Sequence, residues 1–229
     1  MMTIPSRFSI ASLLSLVVAL VGCGGAAPEV PVEAVAAPAV SPTPEPEARV
    51  VVLGDSLAAG LGLPEAEAFP AVVESALREL GHNVEVVNAG VSGDTTAGGL
   101  SRLDWVLQRP TDVLVVELGG NDALRGQPLE NTEANLREIV RRGRGAGATV
   151  VLLGMDVPTN YGPDYAADFA ELYPRVAAEE DAVLVPGFVR EVGSDSLLLQ
   201  PDGLHPTAEG QRRLAETLLP ALLEVLGNP

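Results

Sequence analysis

The chain reads as an α/β protein, a three-layer α/β/α sandwich around a five-stranded parallel sheet. Three observations predict this. From residue 49 onward, short apolar runs alternate with stretches whose apolar positions recur at helical spacing. The apolar runs are continuous, as in strands covered on both faces. The residues best suited to chemistry stand just after the strands, where parallel sheets hold their ligands.

The elements follow in order. Val50–Leu53 is a first strand ending at Gly54. Residues 69–80 carry Val72, Val73, Ala76, Leu77 and Leu80 on one stripe, a helix opened by Pro70 and closed by Gly81. Val84–Val87 is a second strand and 95–107 a second helix. Val113–Leu118 is a third strand, with Glu117 near its end. Residues 131–142 form a helix and Thr149–Leu153 a fourth strand. Residues 164–179 form a helix containing Pro174, and Val183–Val185 is a fifth strand. The last helix covers 207–226, with a bend expected near Pro220. No internal repeat interrupts the pattern.

The 229 residues suffice for one domain with an appendage. With 47% hydrophobic and 20% charged residues, global disorder is excluded. Fourteen basic against 31 acidic residues leave a net charge of −17, which excludes the basic face a nucleic-acid binder needs. The single cysteine, Cys23, allows no intrachain disulfide. Two histidines, His82 and His205, do not make a multi-His metal site, and only an all-carboxylate site stays open. No cofactor is expected.

The appendage comes first. Residues 1–22 carry one charge, Arg7, followed by an apolar run from Phe8 to Val21. That run is shorter than the roughly 20 residues a membrane-spanning helix needs, and it fits the core of a signal peptide. It ends Leu20-Val21-Gly22-Cys23, which resembles a bacterial lipobox. The resemblance implies cleavage before Cys23 and lipidation of its thiol, with each buried CH₂ contributing roughly 0.8 kcal/mol of membrane affinity. An ordinary secretory signal or an uncleaved anchor is the plainer alternative. Loss of residues 1–22 removes Arg7 and no acid, so the mature chain carries 13 basic and 31 acidic residues, or −18. Anionic headgroups do not attract such a body, and lipid would have to hold it at a membrane. In lipoproteins an Asp after the cysteine favours inner-membrane retention; Gly24 stands there, which points toward an outer membrane. Residues 23–48 then form a linker, with prolines at 28, 31, 38, 42, 44 and 46 that bar helix and central strand. The folded domain is expected over 49–229.

Four segments gather at the predicted mouth of the sheet. They are Gly54-Asp55-Ser56-Leu57, Asn88 to Asp94, Gly119-Gly120-Asn121-Asp122 and Asp202-Gly203-Leu204-His205-Pro206. Acyl transfer needs a hydroxyl, a base that takes its proton, and a carboxylate that orients the base. His205 has Asp202 three residues before it, within reach of one turn, and Pro206 restrains its backbone. An oxyanion needs hydrogen-bond donors. The candidates are the Ser56 N–H, the Gly93 N–H and the Asn121 side-chain amide. Each residue has a plainer reading. Ser56 and Asn121 are common turn residues, Gly93 suits a helix entry, and Asp202 with His205 suits a capping pair. Asp94 and Thr95 read as helix caps, and His82 as an exposed turn residue.

Taken together, these segments resemble the four blocks of the GDSL, or SGNH, hydrolases, matching the eponymous Ser, Gly, Asn and His at Ser56, Gly93, Asn121 and His205. The match spans about residues 50–225. Val91 to Thr96, Glu117 to Gly126 and Asn160-Tyr161-Gly162 are similar to the periplasmic thioesterase I, lysophospholipase and arylesterase branch. The resemblance implies a flavodoxin-like SGNH fold and a metal-free, monomeric hydrolase of broad acyl-ester specificity. It also implies Ser56 as nucleophile, His205 as base, Asp202 as orienting acid, and Ser56, Gly93 and Asn121 as oxyanion hole. The segment through Leu124 and Arg125 is similar to a loop that moves when that branch binds substrate. Asp156 stands where a basic or amide residue is expected. An acid there disfavours polyanionic substrates, although a solvated loop acid is the plainer reading. Tyr161, Tyr165 and Phe169 are candidates for an acyl groove or for core packing.

The expected function is hydrolysis of acyl, aryl or lysophospholipid esters through an acyl-enzyme, at the cell envelope on a lipid anchor. A carbohydrate O-deacetylase of the same fold, or a non-catalytic ligand-binding lipoprotein, is the alternative.

Overall fold

The computed structural model describes residues 45–157, 161–227 and 229. The expected signal peptide, Cys23, most of the linker and Asn160 lie outside the described residues.

Five parallel strands form the sheet: β1 (Ala48–Gly54), β2 (Val84–Gly90), β3 (Val113–Glu117), β4 (Thr149–Leu153) and β5 (Val183–Val185). Their order is β2-β1-β3-β4-β5. The chain steps outward from β1 to β2 and then returns across β1 to β3. The direction of winding therefore reverses between β1 and β3, and ligands of such sheets bind at that crevice. The register aligns the ends there: Gly54 pairs with Gly90 on one side and with Glu117 on the other. The central strands are buried along most of their length, and the edge strand β2 buries only Val84.

The helices cover both faces. Helices α2 (Phe69–Glu79) and α8 (Ala208–Leu226) pack together on one side. Helices α3 (Thr96–Val106), α5 (Leu129–Gly145) and α6 (Pro163–Glu179) form the other layer. The expected three-layer sandwich with its five-stranded parallel sheet is therefore present. Long apolar stripes made these helices legible. Pro174 lies within α6 and Pro220 within α8, and neither ends its helix.

Three short helices carry no such stripe and were not anticipated: α1 (Ser56–Ala59), α4 (Gly120–Leu124) and α7 (Arg190–Ser194). Each has only four or five residues, too few for a period to register. Both α1 and α4 begin directly after strands at the mouth.

His82 is buried rather than exposed. Its N–H bonds to Leu77 O at 3.0 Å while Gly81 N–H bonds to Arg78 O at 3.0 Å, with Gly81 at φ +96°. This double closure of α2 turns the chain back toward β2 and carries His82 inward.

Candidate active site

Strand β1 delivers Ser56. Asp55 caps α1, its Oδ1 accepting the Leu57 N–H at 3.0 Å, and Ser56 is the first helical residue, only 8% exposed. The turn is tight because Gly54 has no side chain. A Cβ there would lie 2.6 Å from the Ala58 Cβ and 2.7 Å from Glu117 Oε2. On the other flank, Asn88 donates to Ala58 O at 2.7 Å and holds the end of α1 on β2.

A separate loop delivers His205. Asp202 Oδ1 accepts the N–H groups of Leu204 and His205, each at 3.0 Å, with Gly203 at φ +69° between them. The Gln200 N–H donates to His205 O at 2.7 Å, and Thr207 caps α8. Asp202 and His205 are thus not the cap of the last helix. Two side-chain amides then span the sequence gap. Gln211 of α8 donates to Leu57 O at 3.0 Å, and Gln200 to Leu61 O at 2.8 Å.

These ties bring the three groups into one line of hydrogen bonds. His205 Nε2 lies 2.9 Å from Ser56 Oγ, and His205 Nδ1 lies 2.6 Å from Asp202 Oδ2. The bond to the imidazole, with the two backbone donors, lowers the Asp202 carboxyl to about 2. An ionised carboxylate on Nδ1 keeps the proton there and leaves Nε2 free to accept one from the hydroxyl.

The expected donors face the same cavity. Ser56, Gly93, Asn121 and His205 all line a space of about 460 Å³. Gly93 lies at φ +82° in the turn after β2, and Arg125 donates to its carbonyl at 2.6 Å. Asn121 sits in α4. Its Nδ2 donates to Asp55 Oδ2 at 2.8 Å, which occupies one amide hydrogen and leaves the second. The left-handed turn before it needs Gly119, at φ +118°, where a side chain would collide with the Tyr173 hydroxyl.

Several residues depart from their sequence readings. Thr95 caps α3, accepting the Gly98 N–H at 3.2 Å, whereas Asp94 forms an ion pair with Arg102 at 2.7 Å. Asp156 lines the cavity but is not a freely solvated acid, since Arg190 meets its carboxylate at 3.0 Å. Tyr161, Tyr165 and Phe169 do not line the cavity. Tyr161 and Tyr165 stack at 6.3 Å and Tyr165 and Phe169 at 6.4 Å, and Phe169 meets Tyr173 edge-on at 5.5 Å in the core. The walls are instead apolar side chains of several elements, among them Leu57, Leu124, Met155, Val192, Leu199 and Leu214.

Two carboxyls beside the site escaped the sequence reading of function. In the sequence Asp55 stands only as part of the Gly54–Leu57 segment, and Glu117 only as a strand-end residue. Glu117 is completely buried, and its Oε2 accepts the N–H groups of Asp55 at 3.1 Å and Ala58 at 3.3 Å. A charged residue type inside an otherwise apolar strand was the available signal. Among the described residues, no group of three or more His, Cys, Asp or Glu side chains is arranged to hold a metal ion.

The model of the GDSL-like lipase/acylhydrolase family matches residues 52–213. The chain belongs to that family. It is 43% identical over 178 residues to the esterase TesA of Pseudomonas aeruginosa, covering 77% of this chain and 89% of the relative. It is 38% identical over 180 residues to thioesterase 1/protease 1/lysophospholipase L1 of Escherichia coli, covering 78% and 85%. A crystal structure of TesA superposes with a TM-score of 0.75 at 42% identity, covering 77% of this chain and 99% of that one. The GDSL family thus accounts for the fold, and the chain is a serine esterase with hydrolase activity toward small-molecule esters.

Proposed function

We propose that this GDSL hydrolase cleaves acyl and aryl esters, lysophospholipids included, through an acyl-enzyme on Ser56, while anchored in the cell envelope by lipid on Cys23. The observation that carries the chemical part is the unbroken line Ser56 Oγ, His205 Nε2, His205 Nδ1 and Asp202 Oδ2, at 2.9 and 2.6 Å, opening on an apolar cavity.

In this reading Ser56 Oγ bonds to the ester carbonyl carbon as its proton passes to His205 Nε2. The negative charge moves to the carbonyl oxygen, where the N–H groups of Ser56 and Gly93 and the free amide hydrogen of Asn121 receive it. The tetrahedral centre collapses, the carbon–oxygen bond to the alcohol breaks, and the imidazolium returns its proton to that alkoxide. Water then repeats the sequence. It gives a proton to His205, attacks the acyl carbon, and releases the acid as Ser56 regains its hydrogen. Asp202, held ionised, stabilises the imidazolium twice per turnover.

The apolar walls support an acyl chain as the occupant. A carbohydrate O-deacetylase draws no support from such a lining. The Asp156–Arg190 pair at the rim is close to neutral, so rejection of polyanionic esters rests on the −18 body more than on Asp156 itself. Lipid anchoring is supported by the Leu20-Val21-Gly22-Cys23 sequence and by the proline-rich stretch behind it. Among the described residues no helix is long and apolar enough to cross a membrane. The soluble body is expected to hydrolyse p-nitrophenyl esters and lysophosphatidylcholine but not acetylated glycans, with Ser56→Ala inactive. Mass spectrometry of the mature chain is expected to find diacylglycerol on Cys23. An unlipidated start further along the chain contradicts the anchor.

A further inference from the structure

Glu117 is the one carboxyl sealed wholly inside the described domain. It ends β3, two residues ahead of the left-handed turn at Gly119, and its side chain lies against the turn that presents Ser56. Its Oε2 takes the two N–H groups of Asp55 and Ala58, which the start of a helix otherwise leaves unpaired. Asp55 in turn accepts from Leu57 N–H and from the Asn121 amide. The links Glu117 to Asp55 to Asn121 therefore join the nucleophile turn to a donor of the proposed oxyanion hole.

We propose that Glu117 is a positioning residue of this site: its buried carboxyl fixes the turn carrying Ser56 and, through Asp55, the orientation of the Asn121 amide. The proposal rests on the reading of Ser56 as nucleophile.

The protonation states follow from the surroundings. Burial pushes Glu117 well above the ordinary carboxyl range, and the neighbouring Asp55 charge pushes it further. Burial also raises Asp55, but the Leu57 N–H and Asn121 amide oppose the rise. Of the two carboxyls, Glu117 is the one pushed further toward the protonated form, and Asp55 is the one whose charge its neighbours support. The other charged or titratable groups nearby fit this division. Arg102 of α3 donates to Gly54 O and is already paired with Asp94. The Tyr173 hydroxyl of α6 donates to Leu118 O at 3.0 Å and is held neutral by its burial. The charge of His205 only lowers Asp55. Glu117 holds the Asp55 backbone N–H, and the Asp55 carboxyl grips one hydrogen of the Asn121 amide at 2.8 Å. The other hydrogen is then aimed by a bond made before substrate arrives.

The test compares Glu117→Gln with Glu117→Ala in the full chain, using a p-nitrophenyl ester. Gln accepts both N–H groups through its oxygen and donates through its amide, as the neutral acid does. Expected is a kcat within about threefold of wild type for Gln, and a kcat lower by at least about tenfold at unchanged KM for Ala, short of the roughly 10²–10³ of a lost oxyanion donor. Infrared spectra give a second readout. The carbonyl stretch of a protonated carboxyl is expected in wild type at neutral pH and absent in Glu117→Gln, which is isosteric and keeps the fold. A Gln variant as impaired as Ala, an Ala variant with wild-type kcat, or a missing carboxyl band overturns the proposal. Ser56→Ala separates the two levels. If it remains active, the site reading fails; if it is inert while any of those three outcomes holds, only Glu117's role fails.

Discussion

Arg125 Nη2 lies 2.6 Å from the carbonyl oxygen of Gly93. This bond joins the end of α4, the helix that carries Asn121, to the turn after β2 that carries Gly93. A carbonyl held from one side fixes the Gly93–Asp94 peptide plane, and with it the Gly93 Cα from which the preceding peptide and the Gly93 N–H extend. Arg125→Ala is expected to lower kcat about tenfold, in line with the roughly 1.5–3 kcal/mol of a hydrogen bond to a charged group less its exposure to water. The melting temperature should hardly move, since the side chain is exposed. Steady-state kinetics with a p-nitrophenyl ester and a thermal melt check both parts.

Asn121 carries the larger share. Its amide has one hydrogen on Asp55 and one toward the cavity. Asn121→Ala is expected to cost roughly 10²–10³ in kcat with KM little changed, because the oxyanion exists only along the reaction path. An equal loss in kcat and rise in KM contradicts that role.

The pH response follows from Asp202, which is lowered to about 2. Its folded value lies below the ordinary 3.8, so the stability it contributes is present above about 3.8 and is lost as pH falls through about 2. Over the working range Asp202 stays ionised. Asp202 therefore adds no step of its own to the pH dependence of activity in that range. Asp202→Asn is expected to cut kcat by about 10⁴ while leaving the fold intact, because the imidazole loses the partner that fixes its tautomer. A pH–rate profile with a second acidic inflection near the ordinary carboxylate value contradicts this.

Sequence made the large elements legible because β3 and β4 are nearly unbroken apolar runs and the long helices carry stripes. The site was legible for a different reason. Ser56, Gly93, Asn121 and His205 each follow a strand or precede a helix, so topology alone brought them to one end. What stayed hidden depended on side-chain partners rather than on period. The Asp55–Asn121 bond, the burial of Glu117 and the Arg125–Gly93 tie join residues 66, 62 and 32 positions apart. Tyr161, Tyr165 and Phe169 left groove and core both open, because an aromatic ladder at helical spacing suits either; none lines the cavity, Phe169 is buried in the core and Tyr161 is exposed. His82 misled because a Gly-His-Asn turn looks polar until the helix closure folds it inward.

The most direct measurement is covalent labelling with a fluorophosphonate, followed by peptide mass spectrometry. The account predicts a single adduct on Ser56, abolished in Ser56→Ala and strongly slowed in His205→Ala. A label on any other serine, or equal labelling without His205, contradicts it.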